Sequence, residues 1–236
     1  MQGGGTRLDR IVKTIVGHDA DTLVLTEVTR ARLGSLQVAL AAHGYAHVVA
    51  ATPPALGGGM MMASRQRFDV RASRCQIGGE DFRWKEVFFA KAQFTLAGIY
   101  FPDTRDAIAA FWPPVLRAAD VLRDEPVLLV GDFNSGQSHF DVENDTISSD
   151  PWFMAMPFHG LHDLWRHGNG DKREYTWFSR GSRGTKGRQG YAPKGFRIDH
   201  AFGTLAMRRR VRRAWYSHAE RDRGESDHSS MLIDVR

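Results

Sequence analysis

The chain has 236 residues, 42% hydrophobic and 25% charged, enough for one α/β domain with a large buried core. Its single cysteine, Cys75, excludes an internal disulfide and a multi-cysteine zinc site, and no apolar run approaches the ~20 residues that span a bilayer. The net charge of +5 is local: eleven basic residues and one acid lie between Arg180 and Arg213, so the remainder of the chain carries a net −5. Such a field favours a polyanion such as nucleic acid, although a solvated basic face leaves the same trace.

Leu8, Ile11, Val12, Ile15 and Val16 recur at helical spacing, so residues 6–17 are expected to form an amphipathic helix with Thr6 as its N-cap. A strand follows at 22–26, then a helix at 30–43 that Gly44 ends. Strands are expected at 45–51, 59–64, 68–74, 84–91 and 93–100, and a helix at 104–123 broken at Pro113-Pro114. Val127-Leu128-Leu129-Val130 is apolar throughout, as in a sheet buried on both faces. A short helix at 150–159 and strands near 175–179, 196–203, 211–217 and 229–235 complete the order. Residues 180–195, rich in Gly, Ser, Lys and Arg, read as an exposed loop. The order indicates an α/β fold. Met1-Gln2-Gly3-Gly4-Gly5 lacks the charged-then-apolar pattern of a secretory leader, and the lone cysteine points to a reducing compartment, so a cytoplasmic location is expected.

Three acidic motifs end or follow apolar runs: Gly131-Asp132-Phe133-Asn134, Arg197-Ile198-Asp199-His200 and Ser226-Asp227-His228. A fourth carboxylate, Glu27, ends Leu23-Val24-Leu25-Thr26. Carboxylates and a carboxamide are hard oxygen donors that suit Mg²⁺, and a histidine beside them can move a proton or stabilise a phosphoryl oxygen. A lone Asp after a buried strand is more often a turn residue. The order, spacing and company of the four motifs change that reading. Asp132 and Asn134 flank Phe133, so an extended segment puts both on one side with the ring in the core.

From about Arg7 onward this arrangement resembles the endonuclease/exonuclease/phosphatase superfamily, most closely the exonuclease III type of abasic-site endonuclease. Gly98-Ile99-Tyr100-Phe101-Pro102, Gly160-Leu161-His162-Asp163-Leu164-Trp165-Arg166 and Tyr175-Thr176-Trp177-Phe178 extend the likeness. The resemblance implies a two-sheet α/β sandwich with helices on both outer faces, deoxyribonuclease-like. It implies Mg²⁺, with Mn²⁺ as a possible substitute, held by Glu27 and Asp227. Asp132 would orient or deprotonate the attacking water, Asn134 would hold a phosphate oxygen, and His228 would contact the scissile phosphate with Asp199 fixing its tautomer. The Tyr100 phenol is a further donor to phosphate, its bland alternative being a half-buried core tyrosine. Trp177, Phe196 and Ile198 match positions that line an abasic-sugar pocket, though each also suits a core. Arg180 and Arg197, from the basic stretch, join them as substrate-binding residues. His200 is expected to pack rather than react.

The chain departs from the family in two places. Thr26 stands where the family has Gln, and the family's opening strand, with its metal-binding Asn, has no counterpart before the first helix. A single domain over 1–236 lacking that strand is therefore expected, with two neighbouring strand edges left unpaired. The leading expectation is a monomeric Mg²⁺-dependent phosphodiesterase on double-stranded DNA, acting at abasic sites or as a 3′ exonuclease, without a membrane partner. The alternatives are a hydrolase of small phosphoesters and a catalytically impaired nucleic-acid-binding relative.

Overall fold

A computed structural model describes residues 5–79, 81–181 and 192–236. From the N-terminus, α1 (Gly5–Gly17), β1 (Thr22–Thr29), α2 (Arg30–Ala41), β2 (His47–Ala50) and β3 (Gly58–Ser64) build one layer. β4 (Asp69–Arg71), β5 (Trp84–Phe89), β6 (Phe94–Tyr100), α3 (Arg105–Leu122) and β7 (Val127–Asp132) start a second. The rest is α4 (Asp150–Ala155), β8 (His162–Asp163), α5 (Leu164–Asn169), β9 (Trp177–Phe178), β10 (Gly195–Phe196), β11 (Asp199–Gly203), α6 (Leu205–Arg208), β12 (Val211–Ser217), α7 (Ala219–Asp222) and β13 (Ser230–Val235).

One sheet has the order β4-β5-β6-β7-β11-β8. Only β6 and β7 run parallel, connected by α3; the other pairs are antiparallel. Facing it are the sheet β1-β3-β2 and the ribbon β12-β13. β7 shows why the layers stack. Val127 and Leu129 pack beneath Phe111, Trp112 and Val115 of α3, while Leu128 and Val130 face the core between the sheets with Met62, Leu96, Met231 and Ile233. A two-residue period on an all-apolar strand buries both faces. β3 repeats the logic: Met61 and Ala63 meet α1 and α2, and Met62 meets the opposite sheet. The result is the expected α/β sandwich with helices on both outer faces. β1 bonds to β3 alone and β13 to β12 alone among the described residues.

Several local expectations are corrected. α3 runs unbroken through Pro113 and Pro114. Phe111, Trp112 and Val115 are fully engaged in the core, with Phe101 4.6 Å from Phe111 and 4.8 Å from Trp112 between ring centres. That packing offsets the ~3 kcal/mol cost of an internal proline. The expected helix 150–159 changes to a 3₁₀ turn over Met156–His159, where Pro157 interrupts the bonding. The expected strand 196–203 divides at Arg197-Ile198, so β10 pairs with β9 and β11 joins the six-stranded sheet. The short elements β8, α5, α6 and α7 are too brief to leave a periodic signal. No helix among the described residues is long and apolar enough to cross a membrane.

Candidate active site

β1 does not end at Glu27 but bulges there. Its pairing with β3 breaks between Leu25 and Val28, and Glu27 takes φ +59°. A left-handed backbone costs a side-chain-bearing residue about 1–3 kcal/mol, and bulges of this kind re-aim a side chain. Gly58 makes room, since a Cβ there would lie 2.5 Å from the Glu27 Cα. Glu27 thereby lines a cavity of about 680 Å³ together with Asp132, Asp199, Asp227 and His228.

Register supplies the next three groups. Tyr100 is opposite Asp132 in the parallel β6–β7 pair, and Asp132 is opposite Asp199 in the antiparallel β7–β11 pair. Three polar side chains thus meet at one end of the sheet. Gly131 permits the close approach: it has φ +151°, and a Cβ would lie 1.8 Å from the Ile99 carbonyl oxygen. Phe133 is buried in the core, as its position between Asp132 and Asn134 predicted. Asn134 departs from the extended geometry expected of it, taking φ +43°. The reason is local: its N–H donates to Asp132 Oδ1 at 2.9 Å, and its Nδ2 donates to the Phe101 carbonyl at 3.3 Å. Asparagine tolerates that conformation better than most residues.

His228 Nδ1 and Asp199 Oδ2 are 2.9 Å apart. With Asp199 ionised, Nδ1–H donates and Nε2 is the atom left for other partners. One ligand-capable atom each from Asp132, Asp199 and His228 lies within 4.8 Å of the others. Burial works against a charged imidazole, but the charge and hydrogen bond of Asp199, with Asp132 and Asp227 nearby, push the His228 pKa up to about 10. Burial and the charges of Asp199 and Glu27 push the Asp132 carboxyl up as well, to about 7, against His228 and the Asn134 N–H. Burial also raises the Tyr100 phenol, reinforced by Glu27 and Asp132, so it stays protonated.

Asp227 is exposed at the cavity rim. Tyr100 is half-buried, with the Arg83 guanidinium 5.1 Å from its ring centre. Trp177 lies with its ring centre 6.4 Å from His228 and 5.7 Å from Phe196, both aromatics partly exposed. Ile198, in contrast, is buried. Arg180 is exposed just beyond β9.

Arg197 corrects the expectation of a substrate contact. It is 1% exposed, donating to Asp141 at 2.7 and 3.0 Å and to Asp163 at 2.7 Å, with its guanidinium 4.7 Å from the Trp165 ring centre. It clamps β8, β11 and the loop at Asp141 behind the site. The basic run also divides. Arg208 to Arg213 sit around α6 and the start of β12, at the end of the sheets away from Asp132 and Asp199. Arg183, Lys186 and Arg188 lie outside the described residues.

Two contributors escaped sequence reasoning. Thr176 is buried, and its hydroxyl oxygen accepts from the Ile198 and Asp199 N–H groups at 3.1 and 3.3 Å. Its carbonyl accepts from the Ser229 N–H at 2.9 Å, so one residue ties the Asp199 strand to the His228 turn. Arg83 stands over Tyr100 and donates to its carbonyl at 3.3 Å. Thr176 lies within the Tyr175–Phe178 stretch, but nothing along the chain marks its hydrogen-bonding role, and Arg83 belongs to no motif. His200 packs as expected, buried with Nε2 2.8 Å from the Ser135 carbonyl.

Four carboxylates against one imidazolium leave an excess of negative charge, and oxygen donors of this type suit a hard divalent cation. The chain resembles several solved structures in fold. An AP endonuclease from Archaeoglobus fulgidus superposes with a TM-score of 0.78 and 17% identity, covering 98% of this chain and 94% of that one. A 3′-5′ exonuclease from Neisseria meningitidis superposes with 0.78 and 20% identity, covering 97% and 94%. A 3′ phosphatase from Neisseria, bound to a product DNA hairpin, gives 0.78 and 18% identity over 98% and 95%. These identities establish the shared deoxyribonuclease-like fold. No curated protein matches the sequence. The profile of the Endonuclease/Exonuclease/phosphatase family matches residues 1–228, and the chain belongs to that family.

Proposed function

We propose that the protein is a divalent-metal-dependent phosphodiester hydrolase acting on DNA, at abasic sites or at 3′ ends. The observation that carries this reading is the convergence of Asp132, Asp199 and His228 on a cavity that Glu27 and Asp227 also line. A phosphodiester resists attack because its own charge repels a nucleophile, so a site must neutralise charge, activate water and stabilise the leaving oxygen. Glu27 and Asp227, which line the same cavity, would supply oxygen donors for the cation. Mg²⁺, when bound, would offset the phosphate charge and polarise the phosphoryl oxygen. Asp132, with its carboxyl near pKa 7, is poised to orient water and accept its proton. His228, held by Asp199, would offer a cationic N–H to the phosphate. The Tyr100 phenol and Asn134 are further hydrogen-bond donors to phosphate oxygens, and Trp177 with Phe196 offers aromatic faces to a sugar or base.

The test compares cleavage of an abasic duplex, a 3′-recessed duplex and a soluble phosphomonoester across a Mg²⁺ titration. Cleavage of either duplex, abolished by EDTA and reduced roughly 10²–10⁴-fold by His228→Ala, is expected. Turnover of the phosphomonoester alone would replace DNA with a small substrate. Salt-dependent DNA binding without Mg²⁺-dependent cleavage would overturn the enzymatic reading.

A further inference from the structure

A second acid–histidine pair stands behind the first. His218 Nε2 lies 3.0 Å from Glu174 Oε1, and its Nδ1 lies 2.8 Å from the Ser229 hydroxyl oxygen. Ser229 directly follows His228 in the chain. Neither Glu174 nor His218 lines the acidic cavity, so any effect they have on it is indirect.

The course of β12 puts His218 there. The last backbone pair of the β12–β13 ribbon is Ser217 with Ser230. The His218–Ser229 bond adds a side-chain rung just past that pair. It closes the base of the 218–229 loop, which carries Asp227 and His228. Residues two apart on a strand share a face. Tyr216 and His218 do so, with ring centres 6.5 Å apart and planes 22° from parallel. The Tyr216 hydroxyl donates to the Asp199 carbonyl at 2.7 Å. One face of β12 and its extension therefore holds both halves of the Asp199–His228 pair, the first at its backbone and the second through Ser229.

The segment leading into β9 grips the same turn. The Thr176 carbonyl accepts the Ser229 N–H at 2.9 Å, and Glu174, two residues earlier, orients His218. Lys172 Nζ donates to the other Glu174 oxygen at 2.6 Å. A carboxylate only accepts, so Nε2 carries the hydrogen that faces Glu174. In a neutral ring Nδ1 is then the acceptor for the Ser229 hydroxyl; a protonated ring would offer Nδ1–H to the same oxygen. The contact persists in either state. Ser229 is 4% exposed, so this serine–histidine–carboxylate chain holds a turn rather than arms a nucleophile.

We propose that His218, oriented by Glu174, is a positioning residue: it fixes Ser229 and, through the backbone, sets the His228 imidazole against Asp199. The role in turnover rests on the phosphodiesterase reading; the grip on the turn does not. Small displacements of a catalytic group are costly, which gives a contact one residue from His228 its leverage.

The experiment compares the full 236-residue chain with His218→Ala, His218→Asn and His218→Gln. Asn places its amide near the Nδ1 position, within reach of Ser229. Gln places its amide near the Nε2 position, toward Glu174. Hydrogen exchange is followed at the His228 and Ser229 amides, which are bonded to Ser226 Oγ and the Thr176 carbonyl. The kcat and KM are measured on an abasic duplex with Mg²⁺. Ala and Gln should speed exchange at both amides about tenfold and lower kcat about tenfold with KM little changed, while Asn stays near the parent in both. Parent-like exchange in Ala and Gln would overturn the grip of His218 on the turn. Faster exchange with kcat unchanged would overturn the positioning role, because the contact would then serve stability alone. Asn and Gln behaving alike would overturn Ser229 as the route. If the alanine variant does not fold, the Asn and Gln variants alone decide. A parent that leaves the duplex intact would sink the phosphodiesterase reading, and the exchange pattern would still support or overturn the grip on the turn.

Discussion

Replacing Asp132 by Asn probes the electrostatics of the site with almost no change in its shape. Asp132 is 3% exposed, and burial, Asp199 and Glu27 carry its carboxyl from an ordinary 3.8 up to about 7. The folded state therefore holds the Asp132 proton more tightly than the unfolded chain does. As pH rises from about 4 through 7 the unfolded chain releases that proton first, so the folded state loses relative stability, with the full penalty above pH 7. A displacement of roughly three pH units corresponds to about 4 kcal/mol. The substituted carboxamide would be neutral throughout and could still accept the Asn134 N–H through its side-chain oxygen. His228 loses some support when Asp132 is neutralised, which reduces the net gain to roughly 2–4 kcal/mol. In urea unfolding with EDTA, Asp132→Asn should match the parent near pH 4 and exceed it by that amount at pH 8. Adding Mg²⁺ should narrow the gap, because the cation offsets the charge of the Asp132 carboxylate that the variant lacks. A gap independent of pH, or a variant less stable at pH 8, would refute the argument.

Arg197→Ala should destabilise the fold by about 3–5 kcal/mol, because Asp163 would stay buried without its guanidinium partner and Asp141 would keep only Arg166 as its cationic partner. Urea unfolding reads the loss, and DNA affinity of the folded fraction should not change, since Arg197 does not reach the surface. Burial opposes ionisation of Asp163, but Arg197 and His200 outweigh it and hold its carboxyl well below the usual range. The stability from that pair is present above about pH 4 and is lost as pH falls further, so Asp163→Asn should remove a component of acid sensitivity. Trp177→Ala should raise KM for duplex DNA roughly tenfold, from a lost stacking face worth about 1–3 kcal/mol, while leaving the His228 pH profile in place. An unchanged KM would remove Trp177 from the substrate surface.

Much of the architecture was legible along the chain because its signal is local. The helical spacing from Leu8 to Val16 and the unbroken apolar run at Val127–Val130 each report the faces that an element must bury. The acidic motifs were legible because each sits at a strand end, where register brings Tyr100, Asp132 and Asp199 side by side. Charge was a poorer guide. Arg197 and Arg180 look alike in a basic run, yet one is a buried clamp and the other is exposed. The partners that bury Arg197 are 34 and 56 residues away.

The amino-acid order alone thus indicated the longer strands and helices and the carboxylates placed near their ends. Tertiary structure decided the left-handed bulge that aims Glu27, the proline-tolerant course of α3, the Arg197 clamp and the hub at Thr176. The difference is physical. Backbone periodicity acts between near neighbours, whereas bulges, buried charge pairs and strand edges are settled by contacts between segments far apart in the chain.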